Sequence, residues 1–188
     1  MKKLLLILLC VPLIGLGQSE EEIDELIKQI DDLYITIDFG KYNEKGKRSG
    51  LWVEYTTDSI VQNIGYYLDG QKEGLWKENL AYGYGSQVNY KKGKQHGSEK
   101  GFYPNGQLQR EFNYKNGVLV GEQKNWHKNG KIFGISNRNN EGELDGLQKS
   151  WWSTNGAILR EALWEHGECI YLKTWDDKGN ITNEIYHK

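Results

Sequence analysis

The sequence predicts a mainly β protein, an array of about six antiparallel β-hairpin repeats drawn out into an elongated, twisted sheet of about twelve strands, with an N-terminal capping helix ahead of it.

Three observations carry that reading. Glycine recurs in G-x-x-x-G blocks at a near-constant period, and apolar and polar residues alternate between the blocks. The 188-residue chain also holds 23 Gly, 7 Trp, 12 Tyr and 4 Phe but only 2 Pro. So many aromatics exclude a low-complexity disordered chain, and so few prolines exclude a collagen. A hydrophobic fraction of 37% and a mean hydropathy of -0.74 are low for an α/β enzyme with a thick core.

Residues 1–17 read as a secretory signal. Lys2 and Lys3 precede an apolar run from Leu4 to Leu16, and Gly15-Leu16-Gly17 offers small residues where a signal peptidase reads, with cleavage expected before Gln18. The run is shorter than the roughly 20 residues that span a bilayer, so no transmembrane segment is expected in the mature chain. Lipid anchoring at Cys10 is disfavoured, because Leu9 stands where a lipobox has Gly, Ala or Ser. The expected location is periplasmic, outer-surface or secreted. Cleavage leaves Cys169 alone, so no intrachain disulfide is expected and Cys169 reads as a small buried hydrophobe.

Residues 18–45 predict a helix and a lead-in strand. Ile23, Leu26, Ile27, Ile30, Leu33 and Tyr34 fall at the spacing of one helical face. Ser19 and Glu22 form a capping-box pattern, and Glu20 and Glu21 suit the positive end of the helix dipole. Ile35-Thr36-Ile37 then switches to β-branched alternation. Such a helix is expected to cap the first repeat, whose edge is otherwise open to another chain, with docking of a partner protein as the alternative.

Residues 46–188 predict the repeat domain, with repeats starting near 46, 70, 93, 117, 142 and 167. The blocks are Gly46-Lys47-Arg48-Ser49-Gly50, Gly70-Gln71-Lys72-Glu73-Gly74, Gly93-Lys94-Gln95-His96-Gly97, Gly117-Val118-Leu119-Val120-Gly121 and Gly142-Glu143-Leu144-Asp145-Gly146. A sixth begins at Gly167 but has Tyr171 in place of its second glycine, which marks a closing repeat. Five residues after the second glycine stand Tyr55, Phe102, Trp126 and Trp151, with Asn79 the exception. Asn105-Gly106, Asn129-Gly130 and Asn155-Gly156 follow as expected type I′ hairpin turns. Beyond the turn, Leu108, Arg110, Phe112 and Tyr114 share one face, as do Ile158, Arg160, Ala162 and Trp164. The G-x-x-x-G block then reads as the connection between hairpins. Ala81-Tyr82-Gly83-Tyr84-Gly85-Ser86 replaces the Asn-Gly turn in the second repeat.

This pattern resembles the MORN repeat family, particularly bacterial MORN-variant repeats of the YwqK-family antitoxin kind. Gly70-Gln71-Lys72-Glu73-Gly74-Leu75-Trp76, Gly93-Lys94-Gln95-His96-Gly97 with Phe102-Tyr103-Pro104-Asn105-Gly106, and Tyr114-Lys115-Asn116-Gly117 carry the resemblance. It extends from Gly46 to about Tyr186. It implies hairpin repeats used for protein interaction or scaffolding, with an antitoxin-like role toward a toxin and membrane-surface association as alternatives. A looser resemblance to choline- and glucan-binding hairpin repeats implies cell-wall carbohydrate binding through exposed aromatics.

No residue pattern points to catalysis, and no cofactor or metal is expected. His96, His127, His166 and His187 share no metal-ligand spacing, Gly97-Ser98-Glu99-Lys100-Gly101 is not a nucleophile elbow, and the glycines lack a phosphate-loop ending. From Ile35 to Lys188 there are 21 Lys and Arg against 19 Asp and Glu, which leaves no electrostatic footprint for nucleic acid. Protein is therefore the expected partner. Trp52, Trp76, Trp126, Trp151 and Trp164 are expected between strands. Tyr103 and Trp152 point to the opposite face from Phe102 and Trp151 and lead the candidate binding set. Tyr82 and Tyr84 join it at the second-repeat tip, as do Trp76 and Trp126 if they reach the surface.

Overall fold

The computed structural model describes residues 40–187, apart from the side chain of Tyr82. The expected signal, Cys10 and the helix over 23–34 lie outside the described residues. Thirteen strands are connected in order: β1 (Lys41–Tyr42), β2 (Arg48–Tyr55), β3 (Val61–Leu68), β4 (Gln71–Glu78), β5 (Ser86–Lys91), β6 (Lys94–Phe102), β7 (Leu108–Lys115), β8 (Val118–Trp126), β9 (Ile132–Arg138), β10 (Gly146–Trp151), β11 (Ile158–Glu165), β12 (Glu168–Trp175) and β13 (Ile181–Tyr186). One turn of 3-10 helix at Leu80–Tyr82 interrupts the run and packs on β3. The strands form one antiparallel sheet in chain order, from β1 to β13, without crossover or closure. At about 4.8 Å per strand its length is roughly 60 Å.

The turns differ from the sequence expectation in a consistent way. Type I′ turns occur at Asp69-Gly70, Lys92-Gly93, Asn116-Gly117 and His166-Gly167, where both central residues have positive φ. They lie at the first glycine of a block. At Asn105-Gly106, Asn129-Gly130 and Asn155-Gly156 only the glycine has positive φ. These belong to longer loops, in which the N–H of Gly106 donates to the carbonyl of Tyr103 and the N–H of Tyr103 to that of Gln107. The asparagine is there for its side-chain oxygen, which accepts the N–H two residues on, at Gln107, Lys131 and Ala157. Tight turns and wider loops therefore gather on opposite edges of the sheet, except that blocks 46–50 and 142–146 begin with wider loops on the tight-turn edge.

The second glycine of each block is not in a connection. Gly74, Gly97 and Gly121 lie inside β4, β6 and β8, each with positive φ. The register there jumps: Tyr66 pairs with Glu73 while Ile64 pairs with Lys77, and Val88 and Tyr90 face Glu99 and Gln95. Each jump inserts two extra residues on the glycine strand, a bulge that an L side chain strains to adopt. In β12, where Tyr171 replaces the glycine, Leu163 pairs with Tyr171 and Trp164 with Cys169. The closing repeat thus keeps only one extra residue.

Under the bulges lies the core. Trp76 is fully buried, paired with Val88 on one side and packed over Gly65 on the other. Its indole N–H donates to the carbonyl of Tyr66 at 3.1 Å. The same position is Glu99 and then Gln123 in the next two repeats, both buried. Glu99 accepts from Arg110 Nε at 2.8 Å, and the Gln123 amide donates to the carbonyls of Val120 and Gly121. Polar groups can fill this row because each finds its partners there. Tyr42, Trp52, Tyr67, Trp76 and Tyr90 stand edge to face in one chain, with centroids 4.9 to 6.3 Å apart. Aromatic pairs in that geometry add stability beyond area burial. Trp52, Trp126, Trp151 and Trp164 are half-buried, so of the five expected core tryptophans only Trp76 is enclosed.

Candidate functional site: a groove on the wide-loop edge

The wider loops stack one repeat apart along the sheet edge. Their first residues include Tyr103, His127 and Trp152, one at each step. Tyr103 donates its hydroxyl to the carbonyl of Trp126 at 2.7 Å, and His127 Nε2 lies 3.2 Å from the carbonyl of Trp151. A carbonyl only accepts, so Nε2 carries the imidazole proton. The asparagines add further struts: Asn129 donates to the carbonyl of Ser153 and Asn155 to that of Asp177. Each loop is thereby tied to the next. The Trp152 indole nitrogen is buried without a hydrogen-bond partner, so this step of the row lacks the strut that Tyr103 and His127 make.

Between the third and fourth repeats the edge is concave. Tyr103, Arg110, Trp126, His127 and Phe133 line a cavity of about 400 Å³, with Gln109 and Asn125 at its rim. Phe133 is 43% exposed and stacks edge to face with His127 at 5.1 Å. Lys128 lies 6.0 Å above the Tyr103 ring. Gly101, on β6, leaves the Arg110 side chain its place: a Cβ there would meet the guanidinium at 2.6 Å. Arg110 is held from behind by Glu99 and from the side by Gln109, at 2.8 and 3.2 Å. The guanidinium is thus fixed in orientation by its ion pair with Glu99, and a guanidinium held this way presents its other N–H groups in a set direction.

Titratable groups elsewhere in the sheet support the fold. Burial, the charge of Glu99 and a hydrogen bond to it push the Tyr114 hydroxyl up to about 12. At Glu54 burial opposes ionisation, but hydrogen bonds from Asn63 and Tyr67 and the nearby Lys72 and Arg48 charges hold the carboxyl below its ordinary value. The first two repeats share one arrangement here. Arg48 lies over the Trp52 and Tyr67 rings and pairs with Glu54, while Lys72 lies over Trp76 and Tyr90 and pairs with Glu78.

The sequence-derived binding residues divide. Trp76 is enclosed and leaves the candidate set, because its ring fills the space above Gly65. Tyr103 and Trp126 come together in the groove, half-buried rather than in an open stripe. Trp152 is half-buried further along the same edge. Tyr84 is 50% exposed at the second-repeat tip, and the side chain of Tyr82 lies outside the described residues. Arg110, His127 and Phe133 were not in that set. His127 shares the loop position of Tyr103, while Arg110 lies on β7 and Phe133 on β9, where nothing in the local sequence marks them. Cys169 is half-buried, its thiol 3.4 Å from the carbonyl of Tyr171. Among the described residues no group of three or more His, Cys, Asp or Glu could hold a metal ion, and no helix is long and apolar enough to cross a membrane.

Residues 95–116 and 119–140 each match the family model described as MORN repeat variant. Those two segments span the bulged strands β6 and β8 and the loops that frame the groove. None of the curated proteins compared matches the chain.

Proposed function

We propose that this chain is an exported, non-enzymatic binding module that holds a protein partner in the cell envelope or outside the cell, along its wide-loop edge. Variant MORN repeats suggest a repeat-based binding module. The observation that supports this edge as the docking surface is the groove itself, in which exposed Phe133 stands beside an oriented Arg110. Aromatic and arginine side chains in concave settings dominate protein interfaces. Phe133→Ala is the direct test, because that side chain is exposed and its removal leaves the sheet hydrogen bonds intact. A partner captured by the full chain should be bound at least about tenfold more weakly by this variant. Unchanged capture, in a variant with unchanged melting temperature, overturns the assignment of this surface.

Carbohydrate binding is the second reading. The exposed ring of Phe133 with the Gln109 and Asn125 amides at the rim favours it, since an apolar ring face and amide groups suit a sugar. Trp126 in the groove wall supplies the readout. A saturable change in its fluorescence with peptidoglycan or glucan fragments, abolished by Phe133→Ala, would favour sugar over protein.

A further inference from the structure

The opposite edge carries a second concave site, unrelated to the groove. At the β5–β6 turn, Lys91, Lys92 and Lys94 with Asn116 of the following turn line a cavity of about 350 Å³. Every one of these side chains can donate hydrogen bonds, and three carry positive charge.

Two local preferences are broken here at once. Lys91 and Lys94 are direct cross-strand partners, an arrangement in which like charges repel. Lys92 occupies a left-handed position with φ +50, where the three matching turns carry Asp69, Asn116 and His166. Those residue types tolerate this conformation better than lysine does. Several lysines of the sheet are ion-paired, Lys72 with Glu78, Lys100 with Glu111, Lys149 with Glu161 and Lys173 with Glu184, while Lys115 and Lys131 donate to the oxygens of Asn140 and Thr154. Among the described residues no carboxylate pairs with the ammonium groups of Lys91, Lys92 or Lys94. The Glu73 carboxylate accepts the backbone N–H of Lys92 at 2.8 Å instead. The Asn116 backbone N–H donates to His96 Nδ1 at 3.4 Å, and the Asn116 side-chain amide lies 3.2 Å from the same nitrogen, so Asn116 is held in place by His96 at the edge of the cavity. Departures from local preference that cost stability without compensation mark sites kept for another purpose.

We propose that this cavity binds an oxyanion of the phosphate type with at least two negative charges, held by Lys91, Lys92 and Lys94. The ligand supplies the neutralisation that the protein withholds, so binding relieves the Lys91–Lys94 repulsion. The shared chemistry covers a soluble phosphate compound and a phosphate headgroup on a membrane.

Pyrophosphate is the probe for the free form, added to the full chain at constant ionic strength and followed by amide resonances. Saturable shifts at Lys92, Gly93 and Asn116 are expected. The Lys91→Gln/Lys94→Gln variant should bind at least about tenfold more weakly and melt at a higher temperature, because the repulsion is gone. Lys92→Asn, which restores a favoured left-handed residue, should show the same two changes to a smaller degree and serves if the double variant does not fold. Cosedimentation with phosphatidylcholine vesicles, with and without phosphatidic acid, separates the sources. Vesicle binding that pyrophosphate displaces assigns a membrane headgroup, and pyrophosphate binding without vesicle binding assigns a soluble phosphate compound. The proposal fails if sodium chloride of equal ionic strength reproduces the shifts, if no shift saturates, or if the lysine variants bind as the native chain does.

Discussion

Trp76 and Gly65 show how much one residue depends on its neighbour across the sheet. A Cβ added to Gly65 would lie 2.1 Å from the Trp76 ring, inside the closest approach that any packed pair allows. Gly65→Ala should therefore cost about 1–3 kcal/mol, read as a lower midpoint in urea unfolding. Glycine at position 65 looked like a departure from the repeat pattern in the sequence. Its reason lay in a residue eleven positions away, which no local rule connects to it. Tyr114 gives a second residue-scale expectation. Its hydroxyl is raised from an ordinary value of 10.0 to about 12, so the folded chain keeps a proton that the unfolded chain releases first. Its contribution to stability is complete below pH 10 and is lost as pH rises toward about 12. Tyr114→Phe should reduce the slope of stability against pH in that window, measured by urea unfolding at a series of alkaline pH values.

At the scale of the element, alternation and glycine period made the antiparallel sheet legible, with thirteen strands among the described residues where about twelve were expected. The turns were less legible because Asn-Gly serves two backbone geometries. In Asn116-Gly117 both residues are left-handed, whereas in Asn129-Gly130 only the glycine is. What distinguishes them is the side chain: Asn129 binds its own loop and the carbonyl of Ser153. Asn105 makes only contacts with Gln107. Asn129→Ala should thus cost about 1 kcal/mol more than Asn105→Ala, a difference visible in paired thermal melts. The bulges hid for another reason. G-x-x-x-G marks a turn and a bulge together, and sequence spacing cannot say which glycine does which. Gly97→Ala tests the assignment, since φ +92 at this position should make it destabilising by about 1–2 kcal/mol.

Among the described residues, each strand pairs only with its neighbours, in a sheet that runs from β1 to β13. Cohesion comes from a continuous edge-to-face aromatic chain in the first repeats and from polar partners under the bulges in the middle ones. Loop-to-loop struts then hold the later repeats in line. The aromatic content predicted the first of these, but the sequence did not show that Glu99 and Gln123 take the place of Trp76, because charge and amide read as surface until their partners are known. The groove was likewise half legible: Tyr103 and Trp126 stand out in the sequence and His127 repeats the position of Tyr103, while Arg110 and Phe133 join them through the sheet register. Photo-crosslinking from position 133, with position 186 on β13 as the control, tests the proposed docking edge most directly. In extracts of the source cell envelope, a discrete protein adduct from position 133 and none from 186 is the predicted result. Equal labelling from both positions, or no adduct from 133 when one forms at 186, would contradict it.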